Sequence, residues 1–64
     1  NISLSLPSPE GKDTVTVTIF RDDTTVYNEE HDAGSTIIIP LTVRPGDSFD
    51  VFYDDEYFKT FYIQ

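Results

Sequence analysis

The chain has 64 residues, with 12 Asp and Glu against four Lys and Arg, so its formal net charge is −8. A chain this short buries only about 60% of the surface that its unfolded form exposes, which leaves room for one small core and excludes a second domain. The negative charge repels nucleic acid and anionic membrane surfaces, so neither is an expected partner. There is no Cys to form a disulfide, and four Tyr and five Phe are the expected source of core stability instead.

Apolar side chains recur at every second position along most of the chain, a period typical of β-strands. Six runs have this pattern: residues 2–6, 14–21, 24–30, 35–43, 48–53 and 57–63. No window has apolar residues spaced three and four apart, so no helix is predicted. We predict an all-β fold, a small antiparallel immunoglobulin-like sandwich of two three-stranded sheets that occupies residues 1–64 as a single domain. A partly open barrel of the OB type is the alternative.

Turn residues separate these runs. Asp22-Asp23 predicts a tight hairpin turn, and Gly34 predicts a turn with a positive φ. Asp54-Asp55 predicts either a two-residue hairpin turn or a longer loop, because Asp-Asp favours the tight turn less than Asp-Gly does. In Arg44-Pro45-Gly46-Asp47, Pro in second place and Gly in third predict a type II turn. Pro40 marks either an edge strand or a break within the fourth run, because proline cannot donate to a strand ladder.

The register of the last hairpin follows from its turn. If Asp54-Asp55 is a two-residue loop, Val51 pairs with Phe58. Four side chains then point into the core: Phe49, Val51, Phe58 and Tyr62. Three aromatic side chains fall on the outer face and form a candidate interaction surface: Phe52, Tyr57 and Phe61. An aromatic strip of this kind suits a sugar ring or a neighbouring domain, unless the register is off by one or a loop covers it.

No residue pattern points to catalysis or to a metal site. His31 is the only histidine and has acidic neighbours, as a general base does, but so small a chain has little room for a catalytic pocket. The acidic turns are too short for the six to eight oxygen ligands that Ca²⁺ takes. We therefore expect no enzyme activity and no catalytic, cofactor-binding or metal-ligating residue.

A resemblance to a known family appears in three segments. Leu4-Ser5-Leu6-Pro7, the Val-Thr-Val-Thr-Ile run over 15–19, and Val26-Tyr27-Asn28 followed by His31 and Gly34 make up this pattern. It resembles the small immunoglobulin-like domain that closes the extracellular part of some Firmicutes membrane Ser/Thr kinases, after their PASTA repeats. The resemblance implies a non-catalytic domain at the bacterial cell surface, next to peptidoglycan, that acts as a cap or spacer. It implies no site residues.

The expected function is thus a non-catalytic extracellular cap, spacer or interaction domain of a bacterial cell-surface or sensor protein. The alternative is a carbohydrate- or protein-binding module that uses Phe52, Tyr57 and Phe61. Expected partners are neighbouring domains of the same chain, cell-wall glycan or another protein, and the isolated domain is expected to be a monomer without membrane insertion. Because Asn1 is not an initiator Met, we expect the domain to be a piece of a longer chain or a processed product.

Overall fold

The computed structural model describes residues 1–64, which form six strands and no helix. The strands are β1 (Ile2–Leu4), β2 (Thr14–Arg21), β3 (Thr24–Asp32), β4 (Ile37–Ile39), β5 (Ser48–Tyr53) and β6 (Glu56–Tyr62). They pair antiparallel in a two-stranded sheet, β1-β4, and a four-stranded sheet in the order β3-β2-β5-β6. The predicted all-β, six-stranded sandwich is confirmed. The predicted division into two three-stranded sheets is wrong, because pairing of β2 with β5 joins two hairpins into one sheet.

The core lies between the two sheets. Along β2, the side chains alternate between buried Val or Ile and partly exposed Thr, so one face packs inward and the other meets water. Eight apolar side chains are fully buried there: Val15, Val17, Ile19, Ile37, Ile39, Phe49, Val51 and Tyr53. All but the two from β4 come from β2 and β5, which are the two central strands of the four-stranded sheet.

Both Asp-Asp hairpins turn through left-handed backbone. Asp22 and Asp23 have φ of 50° and 62°, and Asp54 and Asp55 have φ of 48° and 65°. Two consecutive positive φ angles define a type I′ turn, whose twist matches that of the flanking strands. Asp tolerates this conformation better than most residues because its short polar side chain can hydrogen-bond locally. The two predicted tight turns are therefore confirmed.

The Arg44-to-Asp47 turn is also as predicted. Gly46 has a φ of 92°, and the Asp47 N–H donates to the Arg44 carbonyl at 3.0 Å. A positive φ at the third residue is what a type II turn requires. Gly34 likewise has the expected positive φ, of 87°.

Pro40 ends β4 after only three residues. The Leu41 N–H donates to the Ile39 carbonyl at 2.8 Å, so the chain bends around Pro40 in a three-residue turn. Leu41 and Val43 still pack against the core, but outside any strand. The strand predicted over 35–43 is shorter than expected because proline has no N–H with which to extend the ladder.

Candidate functional site

The β5–β6 hairpin contains a β-bulge that the sequence pattern did not predict. The two-residue turn pairs Tyr53 with Glu56 and Phe52 with Tyr57, as expected, but Val51 pairs with Lys59. The predicted pairing of Val51 with Phe58 is therefore wrong. Phe58 is the extra residue of the bulge, and a bulge of one residue exchanges the two faces of the strand beyond it.

This exchange decides where the remaining aromatic side chains of β6 point. Phe61 pairs with buried Phe49, and Tyr62 pairs with Ser48. Tyr62 therefore lies on the outer face and is 68% exposed, and Phe58 is 44% exposed. The prediction that Tyr62 points into the core is wrong. Phe58 packs against buried Tyr53 with ring centroids 5.2 Å apart, but it stays 44% exposed and outside the core cluster, so the prediction that it is a core residue is wrong as well.

The physical reason for the bulge lies in what each register buries. Without it, Thr60 and Tyr62 would face the core, whereas with it Phe61 and Ile63 do. Ile63 packs against the core cluster, and Phe61 lines the same apolar side of the sheet. Phe58, which the unbulged register would turn inward, still packs against buried Tyr53 with ring centroids 5.2 Å apart, so the bulge adds Phe61 and Ile63 to the apolar side without detaching Phe58.

The predicted aromatic surface is split between two faces of the sheet. Phe52 and Tyr57 contact each other on the outer face, with ring centroids 5.7 Å apart and ring planes at 69°. Phe61 does not join them, because the bulge places it on the opposite face. The structure thus brings together two of the three residues named from the sequence.

A chain of hydroxyl groups holds the outer aromatic pair in place. The Tyr57 hydroxyl lies 2.6 Å from Thr60 Oγ1, and Thr60 Oγ1 donates to Asp50 Oδ1 at 2.7 Å. Since the Thr60 proton goes to the carboxylate, the Tyr57 hydroxyl donates to Thr60. Tyr57 is therefore oriented on the sheet although its side chain is exposed.

An apolar groove opens on the other face, where β1 and β6 are not paired. Its volume is about 200 Å³, and all of its lining residues are hydrophobic: Ile2, Leu4, Leu6, Phe49, Val51, Phe61 and Ile63. The ammonium of Lys59 lies 5.1 Å from the centre of the Phe61 ring. With no polar group among its lining residues, this groove offers packing and no directed chemistry.

A second concave surface lies on the outer face at the opposite end of the sheet from Tyr57. Phe20 on β2 and Tyr62 on β6 flank Ser48 on β5, because Ser48 pairs with each of them. With the Asp22-Asp23 turn and Gly46, these residues line a cleft of about 420 Å³. The only sequence signal for it is that Phe20 interrupts the Thr positions on the outer face of β2.

The two acidic turns lie at opposite ends of the four-stranded sheet. Tyr53, beside Asp54-Asp55, pairs with Val15, whereas Ser48 pairs with Phe20 near Asp22-Asp23. The two turns therefore cannot supply ligands to one Ca²⁺ ion. No group of three or more His, Cys, Asp or Glu side chains is placed to hold a metal ion.

Asp54 has a structural role in its turn. Its Oδ1 accepts hydrogen bonds from the Thr14 N–H at 2.9 Å and the Asp13 N–H at 3.1 Å. The hydrogen bond from the Thr14 N–H, and to a lesser extent that from the Asp13 N–H, holds the pKa of Asp54 below its ordinary value. Beside it, the Lys12 ammonium donates to Glu56 at 2.9 Å and lowers the pKa of that carboxyl. This end of the β5–β6 hairpin is thus tied to the loop before β2.

Asp47 is the one buried charged residue, with 1% of its surface exposed. The Arg21 guanidinium donates to it through Nε at 3.0 Å and Nη2 at 2.8 Å, and the Arg44 N–H donates at 2.8 Å. Hydrogen bonding to Arg21, and then to the Arg44 N–H, lowers the pKa of Asp47 from 3.8 to about 2. In the sequence Asp47 is only the last residue of a turn, and no spacing rule links it to Arg21.

His31 lies in β3, which continues two residues beyond the run predicted over 24–30. Its Nε2 lies 2.8 Å from the Tyr27 hydroxyl, and the two rings stack with centroids 6.3 Å apart. Burial, and then the charge of Glu29, raises the pKa of Tyr27. Glu30 and Asp32, adjacent to His31 along the strand, project from the other face. The acid neighbours that suggested a general base therefore do not face this histidine.

No known protein family, curated protein or solved structure matches this chain. The structure contains no helix with the length and apolar character needed to span a membrane.

Proposed function

We propose that this chain is a non-catalytic extracellular module of a bacterial cell-surface or sensor protein, where it acts as a cap, spacer or interaction domain. The observation that carries the proposal is the free edge of β6. Tyr57, Phe58 and Phe61 are 58%, 44% and 37% exposed there, Tyr57 on the outer face and Phe61 on the core side, so that together they wrap around the edge. We refer to these three residues as the β6 edge surface. A group of large apolar side chains exposed on a small domain is typical of a contact surface.

The form of this edge favours contact through side chains over addition of a further strand. The bulge at Phe58 interrupts the ladder positions of β6, and Lys59 sits opposite Val51 on the core side of the sheet. Bulges and inward-pointing charges on edge strands are devices that discourage pairing with other strands. A packed neighbouring domain, which covers side chains without joining the sheet, is thus the partner that this edge suits.

The bacterial cell-surface part of the proposal rests on the resemblance to the domain that follows PASTA repeats in membrane Ser/Thr kinases. The resemblance implies an all-β immunoglobulin-like domain, and a small antiparallel sandwich is consistent with it. In that setting the repeats capture the peptidoglycan ligand, and this domain caps or spaces them. The net charge of −8 supports this assignment of ligand binding to the repeats, because a negatively charged domain disfavours binding of the acidic polymers and stem-peptide carboxylates of the wall.

The proposal is tested by NMR on the isolated 64 residues and on the natural full-length protein. We expect the aromatic signals of Tyr57, Phe58 and Phe61 to lose solvent exposure in the full-length protein. We also expect soluble muropeptides to bind the isolated domain weakly or not at all. Unchanged exposure of all three rings, or saturable muropeptide binding by the isolated domain, would contradict the cap or spacer role.

The contact between Phe52 and Tyr57 favours a second candidate function, a carbohydrate- or protein-binding module. Titration with cell-wall oligosaccharides would then shift both residues together. Alanine at either position would weaken binding without unfolding the domain. Phe61→Ala is the matched control, because Phe61 lies on the opposite face and its loss would leave the affinity unchanged.

A further inference from the structure

We propose that the cleft lined by Phe20, Asp22, Asp23, Gly46, Ser48 and Tyr62 binds the guanidinium group of an arginine side chain on a basic partner protein. The site goes beyond the proposed function, since it is separate from the β6 edge surface. We refer to it below as the acidic cleft.

The walls of the acidic cleft are aromatic and its floor is open. Phe20 and Tyr62 stand on either side of Ser48, two strand spacings apart, which places their Cα atoms about 10 Å from each other. Two stacking contacts of about 3.5–4 Å take up about 7–8 Å, so the space between the two aromatic residues admits one planar group. At Gly46 no atom lies within 4 Å of the position that a Cβ would take, which leaves space beside Ser48.

The rim of the acidic cleft carries two carboxylates without partners. Neither Asp22 nor Asp23 takes part in a side-chain hydrogen bond, and the ion pairs of the structure are Lys12–Glu56 and Arg21–Asp47. Arg21, next to this turn, experiences the charge of Asp22 but directs both its Nε and its Nη2 to Asp47. In the other type I′ turn, by contrast, Asp54 is occupied by backbone donors. The carboxylates of Asp22 and Asp23 therefore remain free for a ligand.

Aromatic walls with a carboxylate rim select a cation that is planar. A guanidinium stacks on aromatic rings, donates two hydrogen bonds to a carboxylate and is less strongly hydrated than an ammonium. The net charge of −8 attracts a basic partner and repels a second copy of this chain. An arginine on a basic protein surface supplies both the planar cation and the positively charged surroundings.

The first test is an NMR titration of the 64-residue protein at low salt with the blocked peptide acetyl-Gly-Arg-Gly-amide. We expect saturable shifts at Phe20, Ser48 and Tyr62. The same peptide with citrulline, a neutral isostere of arginine, should cause none, and the lysine peptide should bind more weakly. Equal binding of the citrulline or lysine peptide, or no saturable shift at millimolar peptide, would overturn the proposal.

The second test compares the same substitution in the two hairpins. Asp23→Asn and Asp55→Asn each remove one charge from the second position of a type I′ turn, where Asn is well tolerated. Asp23→Asn should weaken arginine-peptide binding by roughly two- to fivefold, whereas Asp55→Asn should leave it nearly unchanged. Tyr62→Leu should weaken binding by roughly two- to fivefold through loss of the ring face. Equal effects of the two Asn variants would show non-specific charge attraction and overturn the site.

Discussion

Arg21 and Asp47 lie 26 residues apart in the chain and form a two-point ion pair beneath the type II turn before β5. Arg21 Nη2 also donates to the Thr42 carbonyl at 2.9 Å, and the Asp47 carbonyl accepts the Ile63 N–H at 2.9 Å. The pair thus links the end of β2, the segment that follows β4 and the end of β6. These are the elements that hold Tyr62 across from Phe20, so the pair also supports the acidic cleft.

Loss of the Asp47 charge is expected to destabilise the protein strongly. Asp47→Asn leaves the part-buried Arg21 guanidinium without its counter-charge, and breaking a buried pair from one side is costly. We expect Tm to fall by at least about 10 °C for a domain of this size. Glu56→Gln is the matched control, because it removes the same charge from an exposed pair and should lower Tm by less than about 4 °C. Similar losses in the two variants would contradict the anchoring role.

Stability should decline in acid over a defined pH range. The pKa of Asp47 is lowered from 3.8 to about 2 in the folded protein, and the pKa values of Asp54 and Glu56 are also lowered. A carboxyl whose pKa is lower in the folded than in the unfolded protein stabilises the fold at pH values above its unfolded-state pKa. That contribution is lost as the pH falls through the pKa of the folded state. Tm should therefore drop between about pH 4.5 and pH 2. Thermal melts across this range should show a flatter profile for Asp47→Asn, and parallel profiles would rule out Asp47 as the main titrating group.

Two neighbouring isoleucines of β4 should differ sharply in their contribution to the stability of the fold. Ile39 is fully buried and Ile38 is 56% exposed, although they are adjacent in the chain. Ile39→Ala should lower the free energy of unfolding by about 2–5 kcal/mol, because it leaves a cavity in the core. Ile38→Ala should change it by less than about 0.5 kcal/mol. Urea denaturation measures the free energy of unfolding of both variants. A larger loss for Ile38→Ala would mean that the register of β4 is shifted by one residue, so that Ile38 and not Ile39 faces the core.

The two residues of the β5–β6 turn should respond in opposite directions to glycine. Asp55 has a φ of 65° and no hydrogen-bonded side chain, so Asp55→Gly relieves the left-handed backbone and should raise Tm by roughly 2–4 °C. Asp54→Gly removes the acceptor of the Asp13 and Thr14 N–H groups and should lower Tm. Thermal melts followed by circular dichroism compare the two variants. A gain in Tm from Asp54→Gly would contradict the capping role of its carboxylate.

Turns and the central strands could be predicted from the sequence because their signals are local. Pro45 and Gly46 specify a type II turn by their own φ preferences, and the Thr-Val alternation of β2 specifies its two faces. The β6 face beyond the turn could not be predicted in this way. Aromatic residues occupy both Tyr57-Phe58 and Phe61-Tyr62, so either register places an apolar side chain inward, and period-two alternation does not choose between them.

The sequence by itself determined an all-β sandwich, its two Asp-Asp hairpins and the outward position of Phe52 and Tyr57, because strand period and turn chemistry act over a few residues. Only the tertiary structure decided that Phe58 forms a bulge, that Phe61 faces the core side and that Tyr62 lies across Ser48 from Phe20. It also decided that Arg21 reaches Asp47. These outcomes depend on which groups from distant parts of the chain pack together, as Ile63 packs against the core cluster and Arg21 pairs with Asp47.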